Sequence, residues 1–277
     1  MVKKQIDLHA AWTNTPNGTP KKRIQLFKDM ANVIKDPVLF KKFRTLQSLH
    51  ESVSGNNWNN RAMTYMKYMS ENNPRLILDN LEKIQDSDRI GSPILFNFSI
   101  GGQNVTLSDS AVHPLYLITK VQERFGPLPN DMNIIEIGCG FGINTKIFHD
   151  IIGYKNYHHI DVPEMLELQR QYLEASDVND IVYVNPYTDL DNIFPHYNFF
   201  ISDFAYTEFS PELKHLYFES VIKRCDRGIM LGKMKIKGKL PNNLTANDWA
   251  KFTELFDCEC ISNKAYKEMI MYFSRRN

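Results

Sequence analysis

Apolar residues recur at helical spacing over Ile24–Ile34, Pro37–Leu46, Met63–Met69 and Leu76–Ile84, with polar breaks at Ser54–Asn57 and Asn72–Pro74. The first 90 residues therefore read as helices behind an irregular N-terminus. The period then changes. Ile94–Ile100 and Gln103–Leu107 flank Gly101-Gly102, which predicts a hairpin. Ala111–Phe125 predicts a helix with Ser110 as N-cap, Pro114 in its first turn and Gly126 just beyond its end. From Ile134 onward, short apolar runs alternate with amphipathic stretches. Strands are expected at Ile134–Ile137, Tyr157–Asp161, Ile181–Asn185, Asn198–Asp203 and Gly228–Lys235. Helices are expected at Ile143–Ile152, Glu164–Leu173 and Pro211–Cys225, the last capped by Ser210. A helix at Ala246–Phe256 then leads to a strand pair, Cys258–Ser262 and Glu268–Ser274. This alternation predicts an α/β fold with a doubly wound, mostly parallel sheet over 111–277, behind a mainly helical cap over 1–110 with its hairpin near 94–107.

Composition narrows the class. A chain of 277 residues that is 43% hydrophobic can bury a full core, and a formal net charge of +1 offers no field to recruit nucleic acid or an anionic membrane. No apolar run has the length of a transmembrane helix, and Met1–Asp7 lacks a signal-peptide core, so a cytoplasmic protein with no nucleic-acid partner is expected. The four cysteines, Cys139, Cys225, Cys258 and Cys260, form no C-x-x-C pair and stand at no zinc-site spacing, which fits free thiols. Oligomeric state is left open.

The candidate chemistry starts at Ile134-Ile-Glu-Ile-Gly-Cys-Gly-Phe-Gly142, an apolar strand that ends in an acid and three glycines at alternate positions. Glycine reaches positive φ cheaply and leaves backbone open to a ligand at the next helix N-terminus. A dinucleotide fingerprint would place its third glycine at 143, which is Ile143. Nineteen residues beyond Gly142, at the end of the next strand, Asp161 supplies the acceptor that a ribose diol needs. Cys139, inside the turn where a small residue is wanted, reads as packing and not as a nucleophile.

The alternate-glycine form resembles motif I of class I S-adenosylmethionine-dependent methyltransferases. Three segments are similar to the sugar O-methyltransferase family of that class: Ile135–Gly142, Ile160–Gln169 with Tyr172-Leu173, and Ile201–Glu208. The resemblance implies a seven-stranded Rossmann-like sheet with an antiparallel last strand. It also implies S-adenosyl-L-methionine as cofactor and a sugar or glycan precursor, nucleotide- or lipid-linked, as acceptor. It places Glu136, Gly138, Cys139, Gly140, Phe141, Gly142, Asp161, Val162 and Ser202 around the cofactor, with Glu136 at its amino-acid end and Ser202 and Asp203 on its floor. Phe141, Tyr206 and Tyr187 are candidates to stack on adenine or a sugar face. Asp203 or Glu208 is the expected base, with His113 and His196 also placed to reach a substrate, while one of His158 and His159, on the second strand, reads as a satisfied core or rim histidine and neither as ligand or base. Asp189, Asp191 and Asp203 lack distinctive metal spacing, and no metal is assigned. Lys233, Lys235, Lys237 and Lys239 recur with period two, which suits a phosphate grip or an edge strand kept soluble. An N-methyltransferase, a small-molecule O-methyltransferase of the same fold and an inactive cofactor-binding subunit are the alternatives.

Overall fold

The computed structural model describes residues 20–49, 59–233, 244–263 and 268–276. Its centre is a seven-stranded sheet in the order β5-β4-β3-β6-β7-β9-β8, formed by β3 (Asn133–Ile137), β4 (Asn156–Ile160), β5 (Ile181–Val184), β6 (Tyr197–Asp203), β7 (Cys225–Lys233), β8 (Phe256–Asn263) and β9 (Glu268–Arg275). β3 to β7 pair in parallel, and β9 enters between β7 and β8 antiparallel to both. This is the doubly wound, mostly parallel architecture expected from the sequence, with its antiparallel strand in place.

Side chains alternate across the sheet and sort the chain into two apolar layers. Ile134, Phe199, Ile201, Leu231, Ile270 and Tyr272 face one way, beneath α7 (Asp109–Phe125), α8 (Ile143–Ile151) and α9 (Pro163–Ala175). Ile135, Ile137, Phe200, Met230 and Phe273 face the other, beneath α11 (Pro211–Ser220) and α12 (Ala246–Leu255). The chain runs outward from β3 through β4 to β5, then returns to place β6 on the other side of β3. The carboxyl ends of β3 and β6 therefore flank the point where the winding reverses, where open α/β sheets bind ligands.

The N-terminal part consists of α1 (Pro20–Lys35), α2 (Pro37–Phe40), α3 (Gln47–Leu49), α4 (Asn59–Asn72), α5 (Pro74–Leu78), α6 (Leu81–Asp86) and the hairpin β1 (Leu95–Ile100) and β2 (Gln103–Ser108). Gly101 and Gly102 carry positive φ at the hairpin turn, as their pairing predicts. Met30, Val33, Tyr65 and Met69 of this part share one continuous cluster with Ile134, Phe141 and Tyr172, so the cap packs on the sheet's own core.

Several boundaries differ from the sequence reading. The helix expected over Pro37–Leu46 is only α2 followed by a 3₁₀ turn at Phe43–Thr45, and Leu76–Ile84 divides into α5 and α6 at Asn80. α7 starts two residues earlier than expected: Ser108, and not Ser110, caps it by accepting from the Ala111 N–H at 3.0 Å, which leaves Pro114 inside the helix. α11 ends at Ser220 and gives way to a 3₁₀ turn at Ile222–Arg224. Among the described residues no helix is long and apolar enough to cross a membrane.

Candidate functional site

β3 delivers the glycine turn to the switch point, and the turn is pinned there by β4. The Gly138 N–H donates to the Ile160 carbonyl at 3.0 Å, and the Cys139 N–H donates to Asp161 Oδ2 at 3.0 Å. Gly138, Gly140 and Gly142 all have positive φ, at 75°, 57° and 98°, and Gly142 is the left-handed N-cap of α8. Two of the glycines also answer to the chain's own packing. A Cβ on Gly138 would lie 2.2 Å from that of Ala205, and one on Gly142 would lie 3.2 Å from Leu173. Gly138→Ala should therefore push back the bend after β6 and cost roughly 1–3 kcal/mol, read as a fall in the thermal midpoint.

Asp161 is 2% exposed and accepts three internal hydrogen bonds: from Cys139 N–H, from Gln169 Nε2 at 3.0 Å, and from Val162 N–H at 2.9 Å on its other oxygen, Oδ1. A carboxylate offers about four acceptor positions, so Oδ1 keeps one for a ligand hydroxyl. Gln169 holds this arrangement together. Its Nε2 also donates to the Gly140 carbonyl at 2.9 Å, and its Oε1 accepts from His159 Nδ1 at 2.8 Å, while His159 Nε2 meets Thr145 Oγ1 at 2.6 Å. His158 sits 2.9 Å from the Tyr197 hydroxyl. Burial lowers both imidazoles to about 4, which keeps them neutral near pH 7.

Glu136, near the end of β3, is enclosed by the protein. It is fully buried under α8, accepting from Asn144 Nδ2 and from the Tyr157 hydroxyl, both at 2.7 Å. Desolvation raises it to about 8 and raises Asp161 to about 7. Each then binds a proton more readily folded than unfolded, so each contributes stability below its unfolded value that is lost as pH rises to the folded one. The two lowered histidines act oppositely, but only up to their unfolded value near 6.5. Between about pH 6.5 and 8 the carboxyls act without that offset, and thermal melts of the ligand-free protein should show its midpoint falling; a rise would contradict the burial of these acids.

Phe141 is fully buried and turned into the cap. Its ring packs edge-on against Phe43 and Tyr172, with Arg44 5.1 Å above its centroid, so it is not available to stack on a ligand. Tyr206 is also buried, against Phe209 and Phe252, whereas Tyr187 is 39% exposed. Ser202 Oγ accepts from the Tyr206 N–H at 2.9 Å and donates to the Ile137 carbonyl at 3.3 Å, fixing the β6 exit to β3.

At that exit Asp203 points to the face covered by α7, and its Oδ2 lies 2.7 Å from His113 Nε2. Asp203 Oδ1 is buried without a hydrogen-bond partner among the described residues. Phe204 follows in a left-handed conformation, its N–H donating to the Leu231 carbonyl at 3.1 Å, which turns the chain sharply into the short helix α10 (Ala205–Glu208). Two other expected candidates are elsewhere. Glu208 is paired with Lys233 at 3.0 Å on the surface, and His196 is exposed before the start of β6, at the opposite end of the sheet, paired with Asp226 at 2.7 Å. Asp189 accepts from the Asn185 N–H at 3.1 Å, a turn-capping role. Lys235, Lys237 and Lys239 lie outside the described residues, and β7, which ends at Lys233, is flanked by β6 and β9 and is not an edge strand.

The structure adds residues that the sequence reading missed. Glu268, fully buried at the start of β9, accepts from the Tyr65 hydroxyl at 2.5 Å and pairs with Arg61 Nε at 3.3 Å. Tyr65 lies 5.4 Å from the His113 ring, and Arg61 lies 5.4 Å from the Phe204 centroid. The helical cap thus supplies one wall of the Asp203 site. A signal existed: Glu268 opens the otherwise apolar run Met269–Phe273, and Arg61 and Tyr65 are one helical turn apart.

No protein-family model and no curated protein matches the sequence. Solved structures similar to it include a SAM-dependent methyltransferase from Aquifex aeolicus (17% identity over 57% of this chain and 89% of that one, TM-score 0.42). An rRNA methylase from Streptococcus thermophilus matches at 12% identity over 59% and 97%, with TM-score 0.45. The magnesium protoporphyrin IX methyltransferase from Synechocystis PCC 6803 with bound SAM matches at 16% over 59% and 78%, also with TM-score 0.45.

Proposed function

We propose that this chain is an S-adenosylmethionine-dependent O-methyltransferase that acts in the cytoplasm on a hydroxyl of a sugar or glycan precursor. The observation that carries the reading is the coupling of Asp161 to the glycine turn at the switch point of a sheet with one antiparallel strand. The turn presents a helix N-terminus, and Asp161 keeps one acceptor position toward the carboxyl end of β4. These residues fit a nucleoside: Asp161 Oδ1 would take a ribose hydroxyl, and the backbone of Gly138 to Gly142 would line the approach. The cofactor supplies, when bound, a methyl on a sulfonium whose C–S electron pair returns to sulfur as the new O–C bond forms.

The chain's own work is to orient the acceptor and remove its proton. Asp203 Oδ1, the oxygen without an internal partner, accepts a hydrogen bond from the acceptor hydroxyl and takes its proton. His113 orients the carboxylate from its other oxygen. Asp203 Oδ1 itself is buried, which keeps bulk water from that oxygen.

Calorimetry with S-adenosylmethionine and S-adenosylhomocysteine tests the reading. Both should bind, and Asp161→Ala should weaken each by about tenfold to a hundredfold, since a charge-assisted hydrogen bond is worth roughly 1.5–3 kcal/mol. Failure of both compounds to bind the wild-type protein would end the proposal whatever the acceptor. Gln169→Leu, which strips one donor from Asp161 and leaves the Gly140 carbonyl unpaired, should weaken them by roughly tenfold without touching the ligand.

A further inference from the structure

Two buried carboxylate oxygens near the β6 exit, Asp203 Oδ1 and Glu268 Oε2, have no hydrogen-bond partner among the described residues. Native structures rarely leave such atoms unpaired, because each loses its hydration without replacement. They belong to one site. Asp203 pairs in register with Leu231 of β7, and Leu231 with Ile270 of β9, so Asp203 and Ile270 are two strand spacings apart, about 10 Å between backbones, and Glu268 lies two residues from Ile270 at the start of β9. Alternation puts Asp203, Leu231, Ile270 and Glu268 on the same face of the sheet, with β7 between the two acids. Tyr65 links them. Its hydroxyl bonds Glu268, and its ring lies against His113, whose Nε2 contacts Asp203.

A bridging cation does not explain the pair. Among the described residues, the group of three ligand-type side chains whose donor atoms approach within 4.8 Å of one another is Glu136, Cys139 and His159, and these atoms are held by hydrogen bonds to the protein. Asp203, His113 and Glu268 do not converge in that way. The charge is partly met instead by Arg61, beside Glu268. Each open oxygen is then an acceptor awaiting an O–H or N–H donor from a ligand. Two such oxygens on one face of the sheet call for a ligand with two neighbouring donors.

Resting on the methyltransferase reading of the site, we propose that the acceptor is a vicinal diol held without a metal. The hydroxyl to be methylated bonds Asp203, and its neighbour bonds Glu268, a substrate-positioning carboxylate presented by β9 and braced by Tyr65 and Arg61 of the cap. The methylated oxygen loses its proton to Asp203 and gains the methyl, while the second hydroxyl is unchanged.

The test measures methyl transfer from S-adenosylmethionine to a panel of methyl glycopyranosides, catechol and glycerol. Each is paired with an analogue lacking one hydroxyl of the diol, and primary amines serve as the contrasting class. Wild-type protein should turn over at least one diol and discriminate against its deoxy analogue by about tenfold to a hundredfold in kcat/KM, the expected loss when a buried carboxylate is left without its donor. Glu268→Ala should erase that discrimination, and Glu268→Gln should raise KM for the diol more than it lowers kcat. Both variants should bind S-adenosylhomocysteine as the wild type does, which shows that they are folded. Discrimination that persists in Glu268→Ala, equal turnover of diol and deoxy analogue, transfer only to amines, or no transfer to any diol by protein that binds the cofactor would each overturn the diol. Absence of cofactor binding would instead overturn the methyltransferase reading beneath it.

Discussion

Asp203→Asn should lower kcat for methyl transfer by roughly 10²–10⁴ while leaving the affinity for S-adenosylhomocysteine nearly unchanged. The amide keeps the shape and one acceptor oxygen, but it cannot take a proton at neutral pH, so the loss belongs to the chemical step. Removing the positioning partner is milder. His113→Gln should cost about tenfold, because Asp203 loses the imidazole that lies 2.7 Å from its Oδ2. Glu208→Gln, the other carboxylate that the sequence offered as base, should change kcat by less than about twofold, since its partner is the half-exposed Lys233 and such surface pairs contribute little. A single-turnover time course with a saturating acceptor separates these outcomes. If Glu208→Gln proves as damaging as Asp203→Asn, the proton leaves by the surface side of α10 and the assignment is reversed.

That ranking could not be made from the sequence, and the reason is physical. Asp203 and Glu208 lie five residues apart at the end of one apolar run, and composition treats them alike. What divides them is Phe204, whose left-handed backbone turns α10 away so that Asp203 faces α7 while Glu208 faces solvent. Local pattern served well wherever one residue type answers one steric need. The glycine turn, the Gly126 end of α7, the Gly101-Gly102 hairpin and the Ser210-Pro211 start of α11 are all where spacing put them. Pattern served badly wherever a contact spans the chain. Phe141 looked like a stacking group because it lies beside the turn, but Phe43 and Arg44, about a hundred residues earlier, enclose it. Glu268 was passed over because its partners Arg61 and Tyr65 are some two hundred residues away, and only the antiparallel entry of β9 brings its first residue to the site end of the sheet.

Arg44 ties these long-range contacts together, and Arg44→Met should be the most destabilising single change in the cap. The guanidinium is 1% exposed. Its Nη2 donates to Asp88 Oδ1 at 2.9 Å, Ser108 Oγ at 2.6 Å and Ser110 Oγ at 2.5 Å, and its Nη1 reaches the carbonyls of Ser87 and Ile90 at 3.3 Å. One cation therefore holds α6, the end of β2 and the first turn of α7, the helix that carries His113. Methionine fills much of the volume but leaves the Asp88 side chain, 6% exposed, with only the Ser108 N–H and hydroxyl as donors. Removing one partner of a buried pair typically costs roughly 3–5 kcal/mol. At about 2–4 °C per kcal/mol, the scale of domains of roughly 150–250 residues, the thermal midpoint should fall by roughly 6–20 °C. Arg44→Met paired with Asp88→Asn should recover part of the loss, because the stranded charge goes with its partner. The cap and the sheet share a core, so hydrogen exchange should rise over residues 81–125 and in the Phe141 turn beneath the guanidinium. Saturating S-adenosylhomocysteine, by binding only the folded turn, should then restore several degrees. A midpoint within about 2 °C of wild type would mean that the hydrogen bonds of the guanidinium contribute little, and that the cap is held by its apolar contacts alone.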